Sequence, residues 1–249
     1  MNARTAALTL FLDRISARSL LSDDERAAIL ALPGDVMVID ANRDLVSLGE
    51  VVDRTCLVGD GLMARFGETR DGNRQISALY IPGDMPDLYS YVLPRSSWAL
   101  TALTKTTIVR VPHSAIHALV EKYPSIGKAF WRDCTLDGAI TAEWILNIGR
   151  RNARARIAHL FCEMAARYER IGMLEGMSFT FPINQAHLAD ALGLTAIHVN
   201  RTLAALRKAE IVSVSGRTVK VMDWNALRSA ADFDPGYLQL DGIAPSLLP

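Results

Sequence analysis

One stretch near the end of the chain, HLADALGLTAIHVNRTLAALRKAEIVSVSGRTVKV (residues 187–221), restricts the fold more than any other. Asn184 precedes an apolar-periodic run and can cap a helix whose inner side is Leu188, Ala189 and Leu192. Gly193 supplies the left-handed residue that a tight helix–helix turn needs, and Thr195 can cap a second helix. In that second helix Val199, Leu203 and Leu206 fall on a core face. Two short helices joined by a three-residue turn with a glycine make a helix-turn-helix. IVSVSGRTVKV follows as two alternating strands about Ser215-Gly216, which adds a wing.

The outward face of the second helix carries groups suited to a DNA major groove. Arg201 can donate two hydrogen bonds to guanine, Asn200 can pair with adenine or hold a phosphate, and Ile197 offers apolar contact to a thymine methyl. His198 sits near the helix start, within reach of backbone or base. Lys208 and Arg217, with Arg207 and Lys220, suit phosphates, which fix register but carry no sequence information. The expected DNA-contacting set is therefore Thr195, Ala196, Ile197, His198, Asn200, Arg201, Lys208 and Arg217. Charge agrees with this placement. The chain has 27 basic and 27 acidic residues, yet residues 150–220 carry a net +6. A local cation excess is what counterion release at a polyanion requires.

Upstream, the patterning divides the chain. The first thirty residues read as helical: a short surface helix, then SDDERAAIL, where Ser22 and Glu25 form a capping-box pattern. Pro33 to Pro112 reads as short strands broken by turn signals such as Asp60-Gly61 and Asp71-Gly72. A short helix follows, then a long one from Pro124. Ile126, Phe130, Cys134, Ile140, Trp144 and Ile148 lie near one stripe of this helix, which can pack on its own domain or on a second copy of the chain. Asn152 can cap the next helix. The expected domains are 1–123, short strands with flanking helices; 124–151, the long helix and the residues that end it; 152–230, a winged helix-turn-helix; and 231–249, an irregular extension with no assigned role.

The order of a β-rich half, a long helix, a hinge asparagine and PINQAHLADALGLTAIHVNRTLAALRKAEIVSVSGRTVKV resembles the Crp/Fnr superfamily over about residues 10–228. The resemblance implies an α+β fold: an N-terminal cyclic-nucleotide-binding-type β-roll, a long dimerisation helix and a C-terminal winged helix-turn-helix. It implies a homodimer on two-fold symmetric double-stranded DNA, with RNA polymerase and a small-molecule effector as further partners.

Two departures from the family pattern stand out. Where the family carries a Glu two residues after the capping Ser or Thr, this chain has Ile197, while the Arg four residues further on is kept as Arg201. In PGDMPDLYSYVLPRSSWAL, Arg95 and Ser96 match the end of the nucleotide-phosphate cassette, and Thr141 matches a nucleotide-touching position of the long helix. The Gly-Glu pair that begins the cassette is missing. Arg95, Ser96 and Thr141 thus form the candidate effector pocket, with cyclic AMP not expected in it. Cys56, Cys134 and Cys162 are dispersed, and none lies near the N-terminus where relatives hold an iron–sulfur cluster. His113, His117 and His159 form no haem-ligand set. No cofactor or metal is expected. No run reaches the length of a membrane span, and no phosphate-cradling loop or nucleophile elbow marks an enzyme. The expected location is the cytoplasm. The alternative reading is a ligand-binding β-roll protein whose winged helix contacts another protein.

Overall fold

The computed structural model describes residues 2–240; residues 241–249, the end of the expected extension, lie outside them. The described chain folds as two compact units. One comprises residues up to Phe66, Leu79–Gly138 and the two described residues after Leu238. The other comprises Gly67–Ala78 and Ala139–Leu238.

The chain opens with α1 (Ala3–Ser16) and α2 (Asp23–Leu30). The capping box at Ser22 forms as the sequence predicts: Ser22 and Glu25 each accept the other's backbone N–H. α1 corrects the expectation of a surface helix. Ala7, Leu8, Phe11, Leu12 and Ile15 are all buried, at most 3% exposed, because they recur on one helical face that seals the sheet. The strands are β1 (Asp35–Ile39), β2 (Arg43–Val46), β3 (Arg54–Asp60), β4 (Met63–Glu68), β5 (Arg74–Tyr80), β6 (Ala99–Ala102) and β7 (Thr106–Pro112). They form two antiparallel sheets, ordered β1-β7-β3 and β2-β6-β4-β5. Gly61 turns β3 into β4 with φ +91°, where a Cβ would come within 2.9 Å of Thr104, Lys105 and Thr106 atoms. Only glycine fits there.

α3 (His113–Lys122) leads into α4 (Pro124–Arg150), a 27-residue helix. The core of the first unit joins Phe11 of α1, Leu57 of β3, Val109 and Val111 of β7, Ile116 of α3, and Ile126 and Phe130 of α4. Phe11 and Phe130 meet with ring centroids 5.7 Å apart.

In the second unit, Asn152 caps α5 (Ala153–Arg170) by accepting the Ala155 N–H at 3.0 Å. β8 (Ser178–Thr180), α6 (Gln185–Leu192), α7 (Ala196–Lys208), β9 (Val212–Ser215), β10 (Thr218–Val221) and α8 (Trp224–Ala231) complete it. The three strands pair in the order β8-β10-β9. Phe161, Tyr168, Phe179, Phe181, Leu192, Val199 and Leu206 are buried in this unit, with Tyr168 stacked on Phe179 at 5.3 Å. Beyond Ala231 the extension is irregular apart from a 3-10 turn at Pro235–Leu238, and it is packed: Phe233 and Leu238 are buried.

Among the described residues, no helix is long and apolar enough to cross a membrane. No group of three or more His, Cys, Asp or Glu side chains among them could hold a metal ion.

Candidate nucleic-acid interface

The helix-turn-helix is built by local chemistry already visible in the sequence. Asn184 accepts the His187 N–H at 2.8 Å and starts α6. Gly193 ends it at φ +60°, and Thr195 accepts the His198 N–H at 3.3 Å to start α7. Val199 and Leu206 are fully buried, which fixes the roll of α7 about its axis. That roll decides what faces outward. Thr195, Ala196, Ile197, His198, Asn200, Arg201 and Lys208 are all exposed, as is Arg217 in the β9–β10 turn. Ile197 is 71% exposed, so its side chain is open to a partner.

A groove of about 440 Å³ runs beside this face, between the start of α6, the inner flank of α7 and the wing. Asn184, Gln185, Asn200, Ala204, Arg207 and Gly216 line it. Asn200 Nδ2 donates to Gln185 Oε1 at 3.4 Å, which orients its amide across the groove mouth. At the rear, Arg156 of α5 donates to the carbonyls of Leu192 and Gly193 at 2.9 and 3.3 Å and pins the turn between the two helices.

The candidate effector residues are placed differently. Arg95 is exposed, and its Nη1 donates to the Gly49 carbonyl at 2.9 Å. Ser96 is buried, and its Oγ donates to the Trp98 carbonyl at 2.5 Å. The Arg95 side chain ties the 94–98 loop to the 49–52 loop, where backbone bonds such as Gly49 N–H to Ser96 O (2.8 Å) already join the two, and the Ser96 hydroxyl closes a turn within its own loop. Thr141 is half-buried on α4 in the other unit.

The polar cavity of the first unit has other walls. It measures about 130 Å³ and is lined by Arg14, Tyr80, Asp84, Tyr89, Asp133 and Asp137, among others. Arg14 holds Asp84 at 2.6 Å and Asp133 at 2.8 Å, and Arg65 holds Asp137 at 2.6 Å. Burial raises the Asp133 carboxyl, and Arg14 partly offsets this. Sequence reasoning missed this cluster because each arginine lies 70 or more residues from the carboxylates it pairs with.

The apolar stripe expected to be available for a second copy is largely committed within the protomer. Ile126, Phe130, Ile140 and Trp144 are each at most 5% exposed, and Cys134 and Ile148 are half-buried. The exposed face of α4 is another one: Lys128, Trp131, Thr135, Gly138, Ala142, Ile145 and Gly149, alternately three and four residues apart. Trp131 is 75% and Ile145 is 69% exposed. Ile126, Phe130, Ile140 and Trp144 are taken by the protomer's own core, and Trp131 and Ile145 are left outside among small residues.

The thiols are chemically quiet. Cys56 and Cys162 are buried, and burial pushes the thiols of Cys134 and Cys162 up to about 12. The three candidate haem histidines do not converge. His113 Nε2 lies 2.8 Å from Ser90 Oγ, His117 packs edge-on to Tyr91, and His159 is buried in the other unit.

Comparison with known proteins agrees with this geometry. Residues 155–230 match the Crp-like helix-turn-helix domain. The chain is 27% identical over 215 residues to the nitrogen fixation regulation protein FixK of Azorhizobium caulinodans, covering 85% of this chain and 86% of that one. It is 28% identical over 225 residues to the transcriptional activator protein FnrL of Cereibacter sphaeroides, covering 87% and 88%. The structure of FixK2 from Bradyrhizobium japonicum superposes with a TM-score of 0.74 at 23% identity, over 80% of this chain and 98% of that one. Residues 155–230 thus carry a Crp-like helix-turn-helix domain, and the chain as a whole is similar in sequence and in fold to Crp/Fnr-type transcriptional regulators.

Proposed function

We propose that the chain acts as a homodimer on two-fold symmetric double-stranded DNA, with α7 of each protomer in successive major grooves. The observation that carries this reading is the exposed face of α7, on which Ile197, Asn200 and Arg201 stand clear of a core anchored by Val199 and Leu206. In the groove, Arg201 reads guanine through N7 and O6. Ile197 cannot accept from a cytosine amino group, so it selects for the methyl of thymine. Thr195, Ala196 and His198 border the backbone at the helix start, where free N–H groups favour phosphate. Lys208 and Arg217 neutralise phosphates on either side.

The dimer forms through the exposed α4 stripe, where Trp131 and Ile145 flank the small residues Thr135, Gly138 and Ala142. Such a stripe lets two helices pack closely along a heptad seam. RNA polymerase is the partner through which a bound regulator acts, and the cytoplasm is its place of action. Cyclic AMP is not the effector: Arg95 and Ser96 are engaged with the protein backbone, and the acidic cavity walls of the first unit do not suit a phosphate. An effector, if the β-roll takes one, is of other chemistry.

The test is selection from a random DNA pool with purified protein, read by sequencing. The expected product is a two-fold symmetric motif with half-site centres about one helical turn apart. Arg201→Ala relaxes one position at a cost of about 1–3 kcal/mol, and Ile197→Glu switches the neighbouring preference toward cytosine. Absence of any enriched motif would instead favour a winged helix that contacts protein.

A further inference from the structure

We propose that the segment following α8 is a strap that sets the corner between α4 and α5, and that Tyr237 is a positioning residue for DNA recognition through Glu163. Glu163, in the middle of α5, is completely buried. A buried carboxylate is costly unless donors surround it. Here the donors come from three places: Trp144 Nε1 of α4 at 2.9 Å, Tyr237 Oη of the strap at 3.0 Å, and Arg167 Nη1 one turn along α5 at 3.1 Å. Trp144 and Tyr237 bond the same oxygen, Oε2, so one atom ties α4, α5 and the strap together.

Two further contacts run across the same corner. Tyr237 stacks on the buried ring of His159 at 5.8 Å, and Phe233 meets that ring edge-on at 5.3 Å. Arg151, between the helices, donates to Glu143 Oε1 of α4 at 2.7 Å and to the Asp232 carbonyl at 3.2 Å. Asp232 has φ +48°, and this left-handed residue turns the chain back from the end of α8 toward the corner. The Phe233 carbonyl then accepts from Arg228 Nε at 3.1 Å, which anchors the start of the strap. The corner is linked onward to the reading head. Asn147 of α4 donates to the Arg156 carbonyl at 3.3 Å, and the Arg156 side chain holds the Leu192 and Gly193 carbonyls.

The inference rests on the dimeric reading. If α4 pairs across the two-fold axis and α7 reads the groove, the α4–α5 corner fixes the separation of the two α7 helices. The strap then acts on which spacing between half-sites fits, and not only on how stable the unit is.

The experiment is a selection on half-sites joined by spacers of every length over one helical turn, using wild type, Tyr237→Phe, Glu163→Gln and Phe233→Ala. Amide hydrogen exchange of residues 143–163 is followed in parallel. Wild type prefers one spacer by at least about tenfold. Tyr237→Phe removes one oxygen and brings a neighbouring spacer to within about threefold, with corner amides exchanging roughly tenfold faster. Glu163→Gln keeps an acceptor for Trp144 and Tyr237 and shifts the spacer less than Phe233→Ala does. An unchanged spacer preference, with exchange unchanged or faster throughout the unit, overturns the strap and leaves the dimeric reading standing. If wild type selects no two-fold site, the dimeric reading fails, and exchange alone decides: acceleration confined to the corner supports the strap, and none overturns it. Should Phe233→Ala fail to fold, Tyr237→Phe still gives the answer.

Discussion

His159 is 1% exposed, and neither ring nitrogen makes a hydrogen bond among the described residues. Its Nε2 lies 3.1 Å from Glu143 Oε1, but that oxygen already accepts from Arg151 at 2.7 Å. Burial, and then the Arg151 charge, push the imidazole down to about 4. The unfolded chain takes up this proton near pH 6.5, while the folded chain resists until about pH 4. Stability held above pH 6.5 is therefore lost as pH falls through that window, by roughly 2–3 kcal/mol from this residue. Urea unfolding at pH 7.5 and 4.5 should show the loss in wild type and a smaller one in His159→Gln; equal losses would refute the assignment. The capping residues Ser22, Asn152, Asn184 and Thr195 were legible in the sequence, because a cap acts within three residues of itself. Glu163 was not. Two of its three donors lie 19 and 74 residues away, and the third, Arg167, reads in the sequence as an ordinary i,i+4 partner on a helix surface.

α4 shows where periodicity misleads. The helix has two apolar stripes, and the bulkier one, with Ile126, Phe130 and Trp144, attracts the eye as a dimer seam. Hydrophobic burial scales with area, so the bulkier stripe is also the one a protomer's own core takes. The two faces respond differently to substitution. Ile145→Glu, alone or with Trp131→Glu, should convert dimer to monomer in sedimentation at micromolar concentration and leave the unfolding midpoint almost unchanged. Phe130→Ala should remain dimeric but lose about 3–5 kcal/mol of stability. A dimer that survives Ile145→Glu would remove the exposed stripe from consideration. α1 carries a related lesson. The sequence reads it as a surface helix, yet its Arg14 is mostly buried between Asp84 and Asp133, and the helix covers the sheet. A charged residue marks the surface only when its partners are far away.

For the molecule as a whole, the sequence showed the succession of sheets, long helix and winged helix, because each has its own period and its own punctuation. It did not show the 67–78 hairpin grouping with the second unit, or the extension packing back on α5, since both depend on contacts distant in sequence. The zero net charge conceals a segment of +6, so DNA affinity should fall steeply with salt although the protein is neutral. Lys208→Ala and Arg217→Ala should each weaken binding to all sequences alike and reduce the salt slope by about one. A slope unchanged by both would remove those side chains from the phosphate contacts.

Gly138 lies on the exposed stripe of α4, and a Cβ built on it meets nothing within 4 Å. Almost any side chain fits there as far as folding of one protomer is concerned. Under the proposed assembly, the same side chain would stand between two helices. Mutational drift at this position is thus unconstrained by stability and constrained only by partnership. In a lineage that carries two copies of the gene, a change from glycine to a bulky residue in one copy would weaken that product's pairing with itself more than its pairing with the unchanged copy, without harming either fold.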